Sequence, residues 1–202
     1  MTDHSEREGL RERKKRLTRH TLRMAALSLV AERGLDAVTA EDVAAAADVS
    51  PRTFFNYFAS KEEALVGNDP ALVAFLRESL VARPAHEEPL VALRAAFLAY
   101  ADGVRFDREM WRLRLLVIER NPSLLPALMG ATAELERVLA EAVAERIGAP
   151  PTDPYPALVV AAATSAVRTA TRHWGAGDSG PDLVEVIVDV FDALGRGLTP
   201  PT

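Results

Sequence analysis

The chain contains no cysteine, which removes disulfides, thiolate nucleophiles and zinc-thiolate centres together and is in keeping with a reducing compartment. Histidine is also scarce. His4, His20, His86 and His173 are the only four, and none stands at the Glu-x-x-His or His-x-x-x-His spacing that builds a metal site on helices. Neither a metal nor a cofactor is expected. No run of about 18 apolar residues occurs, and no apolar stretch follows the charged N-terminus as it would in a secretory signal. The reading is therefore of a cytoplasmic protein without a membrane partner. Alternation with period two, the mark of a half-buried strand, is missing as well.

What is present is apolar residues at helical spacing. They make up 49% of 202 residues, enough to bury a substantial core. Leu22, Ala25, Ala26, Leu29 and Val30 fall at i, i+3, i+4, i+7 and i+8, one buried stripe of an amphipathic helix. Gly34 ends it, because glycine takes the left-handed conformation at a helix C-terminus without steric cost. Thr39 with Asp42 makes a capping box that opens a second helix at about 39 to 47. Ser50 and Pro51 open a third. Ser60 with Glu63 repeats the capping box, so the third helix must end near Ala59 after barely two turns. Further apolar-periodic segments run at about 70–82, 87–105, 107–120, 122–147, 154–174 and 181–198. The fold class predicted is all-α.

The net charge of −5 argues weakly against a polyanionic partner, but the distribution of charge argues for one. Between Arg7 and Arg23 eight basic residues (Arg7, Arg11, Arg13, Lys14, Lys15, Arg16, Arg19, Arg23) face only Glu8 and Glu12. Just downstream, winding residues 51–59 at 3.6 per turn sets Phe54 and Phe58 on one side, toward a core. Arg52, Thr53, Asn56 and Ala59 lie opposite, with Phe55 and Tyr57 on the flanks. A guanidinium and an amide near the start of an exposed helix can pair with guanine and adenine edges in a major groove. Two helices joined by a short turn, the second short and exposed, describe a helix-turn-helix.

The segment TAEDVAAAADVSPRTFFNYFASKEEAL resembles the DNA-binding segment of the TetR family of transcriptional regulators over about residues 17 to 66. The shared pattern is Thr, paired alanines, Val-Ser, Thr-aromatic-aromatic, Tyr-Phe and Ser-Lys-Glu. The resemblance implies that Thr39, Tyr57 and Lys61 hold phosphates, and that Ser50, Pro51, Arg52, Thr53 and Asn56 face bases or sugar-phosphate. Two positions depart from the family pattern. Phe55 stands where a tyrosine is usual, so an apolar contact, as to a thymine methyl, replaces a phosphate-binding hydroxyl. Asp48 stands where the turn usually has glycine, and aspartate tolerates the left-handed region less well.

The division implied is a basic arm at 1–16, with Arg13, Lys14, Lys15, Arg16 and Arg19 as candidate DNA contacts, a three-helix helix-turn-helix domain at 17–66, and a larger helical regulatory and dimerisation domain at 67–202. In that last domain the stripe Val184, Ile187, Val188, Phe191 and Leu198, and the alanine-rich 154–174 segment, suit a homodimer interface of helices near 154–174 and 181–198. Phe97, Tyr100, Trp111, Leu115 and Met129 could line an apolar pocket with Arg114 as a polar group, suited to a bulky apolar or acyl effector. The function read is a ligand-responsive, sequence-specific DNA-binding regulator, a repressor on a palindromic operator. A helical protein-interaction module is the alternative, and it leaves the N-terminal arginines unexplained. GDSGP at 177–181 resembles the nucleophile segment of chymotrypsin-like serine proteases, yet it links two helical patterns rather than sitting in a β-barrel, so the chain is read as no enzyme. His173 beside Trp174 is read as interface or core.

Overall fold

The computed structural model describes residues 2–103, 107–177 and 180–198, the first eleven of these by backbone alone. Ten α-helices are formed among the described residues, and no strand. They are α1 (Thr2–Arg33), α2 (Ala40–Ala46), α3 (Pro51–Phe55), α4 (Lys61–Val66), α5 (Pro70–Ala82), α6 (Pro89–Gly103), α7 (Arg108–Arg120), α8 (Leu125–Ile147), α9 (Tyr155–Ala176) and α10 (Leu183–Gly195), with a 3₁₀ turn at Pro122–Leu124 before α8. Contacts divide the chain into two compact units, Met1–Gly67 with Leu116–Ala127, and Asn68–Leu115 with Leu128–Thr202.

In the first unit four of the five predicted α1 stripe residues are buried, Leu22 and Ala26 wholly and Leu29 and Val30 nearly so, with Leu27 inside beside them and Ala25 half-buried. Gly34 ends α1 at φ +83°. The turn after α2 is a Schellman motif. The Val49 N–H donates to Ala44 O at 3.0 Å and the Asp48 N–H to Ala45 O at 3.1 Å, with Asp48 itself at φ +53°. An aspartate thus occupies the left-handed position for which glycine is the unstrained choice.

The second unit is built around α9, which packs on α10 and α6, while α5 and α10 also pack on α6. Its core joins Leu76 and Leu80 of α5, Leu93 and Phe97 of α6, Leu139 and Val143 of α8, Val160 and Trp174 of α9, and Ile187 and Phe191 of α10. Phe97 and Phe191 meet at 6.2 Å between ring centroids. Arg146 of α8 ties down the α5–α6 connection. Its guanidinium donates to the carbonyls of Arg83 at 2.9 Å and Glu87 at 3.0 Å, and also to that of Pro84. One cation so satisfies acceptors that the end of α5 would otherwise leave open.

Three sequence expectations change here. The third helix is five residues rather than nine, because Asn56 becomes its C-cap and Tyr57 a turn. At the next N-terminus Ser60 accepts from the Glu63 N–H at 3.2 Å, but the Glu63 carboxylate reaches past the cap to the Ala59 N–H at 2.6 Å. The expected capping box is thus opened by one residue. Leu198 leaves the α10 stripe altogether. The helix has ended at Gly195, and Leu198 is 69% exposed at φ +61°.

Candidate nucleic-acid interface

The short helix α3 is positioned from both ends. At its start the Ser50 hydroxyl oxygen accepts from the Thr53 N–H at 3.1 Å, and the Ser50 and Thr53 hydroxyls lie 2.9 Å apart, sharing a hydrogen bond. Pro51 fills the first helical position, where a missing N–H costs nothing. At its far end Phe54 and Phe58 are buried with ring centroids 5.7 Å apart. A helix of this length has little stability of its own, so burial of these rings is what holds it.

The outward side carries Arg52, Asn56 and Ala59, all exposed, with Thr53 and Tyr57 half-buried at its margins. Neither the Arg52 nor the Asn56 side chain makes a hydrogen bond or ion pair among the described residues. Their polar groups are therefore available to an external partner. Phe55 is 52% exposed and stands edge-on to Phe54, with centroids 5.3 Å apart and planes at 89°.

Thr39, a predicted phosphate contact, is exposed at the start of α2 in a complete capping box. The Thr39 N–H donates to Asp42 Oδ2 at 2.9 Å, its hydroxyl donates to the same oxygen at 2.8 Å, and the Asp42 N–H donates back to the hydroxyl at 3.1 Å. These bonds, the backbone one first, hold the Asp42 carboxyl below the ordinary aspartate range. A depressed native pKa means stability that is present above the unfolded value, near 4, and is lost as pH falls through the native one. The melting-temperature gap between wild type and Asp42→Asn is therefore expected to be open at neutral pH and to close below about pH 4. A gap constant across that range would remove the carboxylate from the cap.

Lys61 lies at the start of α4 with its ammonium already engaged. It donates to Leu35 O at 2.8 Å and Val38 O at 2.9 Å, which leaves one of its three N–H groups for an anion.

The basic segment divides in two. Arg13, Lys14, Lys15 and Arg16 are exposed on α1, whose helix runs unbroken through the predicted arm. Arg7 and Arg11 have side chains outside the described set. Arg19, expected among the DNA contacts, is turned inward instead. Its Nη1 donates to Tyr57 O at 2.8 Å, its guanidinium lies 4.3 Å over the Phe58 ring, and it pairs with Glu63 at 3.7 Å. The physical reason is phase, since Arg19 lies on the buried side of α1, one helical turn before Leu22 and Arg23. Arg23 is buried too, donating from Nε to Ala64 O at 3.0 Å and from Nη2 to Gly67 O at 2.8 Å. The Arg19 bond also orients α1 against the end of α3. Lys15 and Arg16, four and three residues earlier, fall on that same side of the helix.

In the second unit the six predicted pocket residues differ in burial. Phe97 is core, and Tyr100 packs on Phe75 at 5.6 Å. Trp111 and Leu115 lie against Gly175 of α9, where an added Cβ would sit 3.1 Å from Leu115 Cδ1 and 3.5 Å from Trp111 Cβ. Arg114 is buried with its guanidinium 5.1 Å over the Trp111 ring. Met129 is 69% exposed, because the buried stripe of α8 runs through Leu135, Leu139 and Ala142 and Met129 lies off its phase. A cavity of about 340 Å³ opens elsewhere, between Arg108, His173, Trp174, Pro181 and Val186. There Arg108 stacks 4.8 Å over the Trp174 indole. His173, expected in an interface or core, is exposed at this rim, whereas Trp174 is buried. Asp178 and Ser179 of the GDSGP segment lie outside the described residues. No group of three or more metal-type ligands occurs among the described residues, and no described helix is long and apolar enough to cross a membrane.

Comparison with known proteins bears on both units. Residues 22–66 match the family described as bacterial regulatory proteins, tetR family, and residues 87–199 match the MftR C-terminal domain. The chain is 36% identical over 173 residues to the HTH-type transcriptional regulator TcmR of Streptomyces glaucescens, covering 82% of this chain and 76% of that one. It is 32% identical over 186 residues to a protein of Mycobacterium tuberculosis named MftR for mycofactocin biosynthesis, covering 92% and 93%. Among solved structures, Thermus thermophilus FadR, a TetR-family repressor crystallised with lauroyl-CoA, superposes with a TM-score of 0.56 at 26% identity, covering 91% of this chain and 96% of that one.

Proposed function

The chain belongs to the TetR family and is a helix-turn-helix transcriptional regulator, and from that premise we propose that it acts as a cytoplasmic homodimeric repressor on a pseudo-palindromic operator. The observation that carries the reading is the polarity of α3, where Phe54 and Phe58 are buried while Arg52 and Asn56 point outward without partners of their own among the described residues. Arg52 and Asn56 read base edges. Ser50, Pro51 and Thr53 approach the duplex beside them, and Thr39, Tyr57 and the remaining Lys61 N–H hold phosphates. Arg13, Lys14, Lys15 and Arg16 supply the sequence-independent attraction. The DNA-binding domain is 17–66, and 67–202 regulates and dimerises.

Dimerisation through α9 and α10 sets two recognition helices about 34 Å apart, one turn of duplex. The exposure of Leu158 at 67% and Tyr155 at 44% on α9 supports that assignment. A small, largely apolar effector binds in the regulatory domain and releases the operator. FadR with its lauroyl-CoA makes an acyl compound the first class to try. Such an effector acts only through its differential affinity for two arrangements, commonly worth about 1–3 kcal/mol of coupling. No catalysis is assigned to the chain.

A salt titration on duplex DNA tests this. If each subunit neutralises about five phosphates, the dimer is expected to give a log–log slope near −9, whereas a protein-interaction module would show no duplex binding to titrate. Arg52→Ala is expected to lose discrimination at one operator position, at about 1–3 kcal/mol, while Lys15→Ala weakens all sequences about equally and flattens the slope. Equal loss across operator variants in Arg52→Ala would take that residue out of the readout.

A further inference from the structure

Phe55 has the one large hydrocarbon side chain on the outward part of α3, and its exposure carries a cost that folding of the unit does not recover. On a helix of five residues each outward position is a large share of the readable face. Phe55 follows Arg52 by three residues, so its ring flanks that guanidinium on the outward part of the helix, on the side away from Asn56. It is not folded back onto the core. Edge-on packing against the buried Phe54 anchors it at a fixed angle while half of its surface stays in water. The hydroxyls on either side of Arg52 are committed to each other through the Ser50 and Thr53 bond.

In the major groove, base edges offer donors and acceptors that a benzene ring cannot answer, and one apolar group, the C5-methyl of thymine. We infer that Phe55 is a specificity-determining residue whose ring packs on a thymine methyl in each half-site, next to the bases read by Arg52 and Asn56. The inference rests on the DNA-binding reading of α3. With no phenolic oxygen at this position the contact carries no hydrogen bond, so it distinguishes thymine by its methyl alone.

The test uses the full-length wild-type protein and an operator duplex selected from random-sequence DNA. Each thymine in turn is replaced by deoxyuridine, which removes only the methyl. One thymine per half-site is expected to cost about fourfold in affinity, and both together about fifteenfold. Phe55→Ala is expected to bind thymine and uracil duplexes alike with an unchanged salt slope. Phe55→Leu, which keeps an apolar tip, is expected to retain part of the preference. If every uracil duplex binds wild type as tightly as its thymine parent, the inference is overturned while DNA binding stands. The same holds if the sensitive thymine matters equally to Phe55→Ala. Recovery of no duplex at all would instead overturn the DNA-binding reading beneath it.

Discussion

Replacing Arg23 by methionine is expected to lower stability by about 3 kcal/mol or more and to weaken operator binding without changing its salt dependence. The side chain is 8% exposed and spends its guanidinium on the carbonyls of Ala64 and Gly67, which close α4 at the boundary of the first unit. Methionine preserves the bulk of the stem but donates nothing, so two charge-assisted bonds are lost and two acceptors are left in a poorly hydrated place. Because Arg23 touches no phosphate in this reading, the slope of log affinity on log salt is expected to match wild type while the intercept falls. A shallower slope would mean that Arg23 contacts DNA after all.

Arg23 also marks where the sequence stops being legible. Composition and spacing treat it as one more member of a basic run beside Arg16, yet its partners lie 41 and 44 residues away, and no local pattern announces them. Arg19 is the same case, with Tyr57 O 38 residues distant. Phase places both within the buried stripe of Leu22 and Ala26, but Lys15 and Arg16 share that phase and stay exposed, so what buries Arg19 and Arg23 is the packing of α1 against the segments that carry Tyr57 and Ala64. By contrast, the caps at Thr39, Ser50 and Ser60 are readable because the cap oxygen and the backbone N–H that donates to it are three residues apart. The departure at Glu63, which reaches Ala59 rather than Ser60, turns on a single peptide. The second unit's helices are readable to within a few residues from Pro and Gly breaks. Its pocket is not, because which of Phe97, Trp111 and Met129 meet depends on how α6, α7 and α8 rotate, which apolar periodicity constrains only to a broad face. Asp48 reads from sequence as a strained substitute for glycine and is found at positive φ. Its backbone bonds are those of a Schellman ending, which shows the motif surviving the loss of its preferred residue.

Phe54→Ala is expected to have the largest effect of any single change, about 3–5 kcal/mol, set against a total stability of roughly 5–15 kcal/mol for a domain. Phe54 is wholly buried and is the ring against which both Phe55 and Phe58 lie, so its removal opens a cavity under α3 and frees the aromatic that α3 presents outward. A five-residue helix cannot persist on propensity. The expected outcome is therefore loss of operator binding with a first melting transition lowered by at least about 12 °C, while α5, α6, α8, α9 and α10, with their own core, keep most of the helical circular dichroism. Phe54→Leu, which refills most of the volume, is expected to cost about 1 kcal/mol and to bind. Phe55→Ala, one residue along, should leave the melt nearly unchanged and alter only which operators bind. Those opposite outcomes at adjacent phenylalanines follow from one geometric fact, that one ring is inside and the other is not. A Phe54→Ala variant that melts and binds as wild type does would show that α3 is held by something other than its buried face.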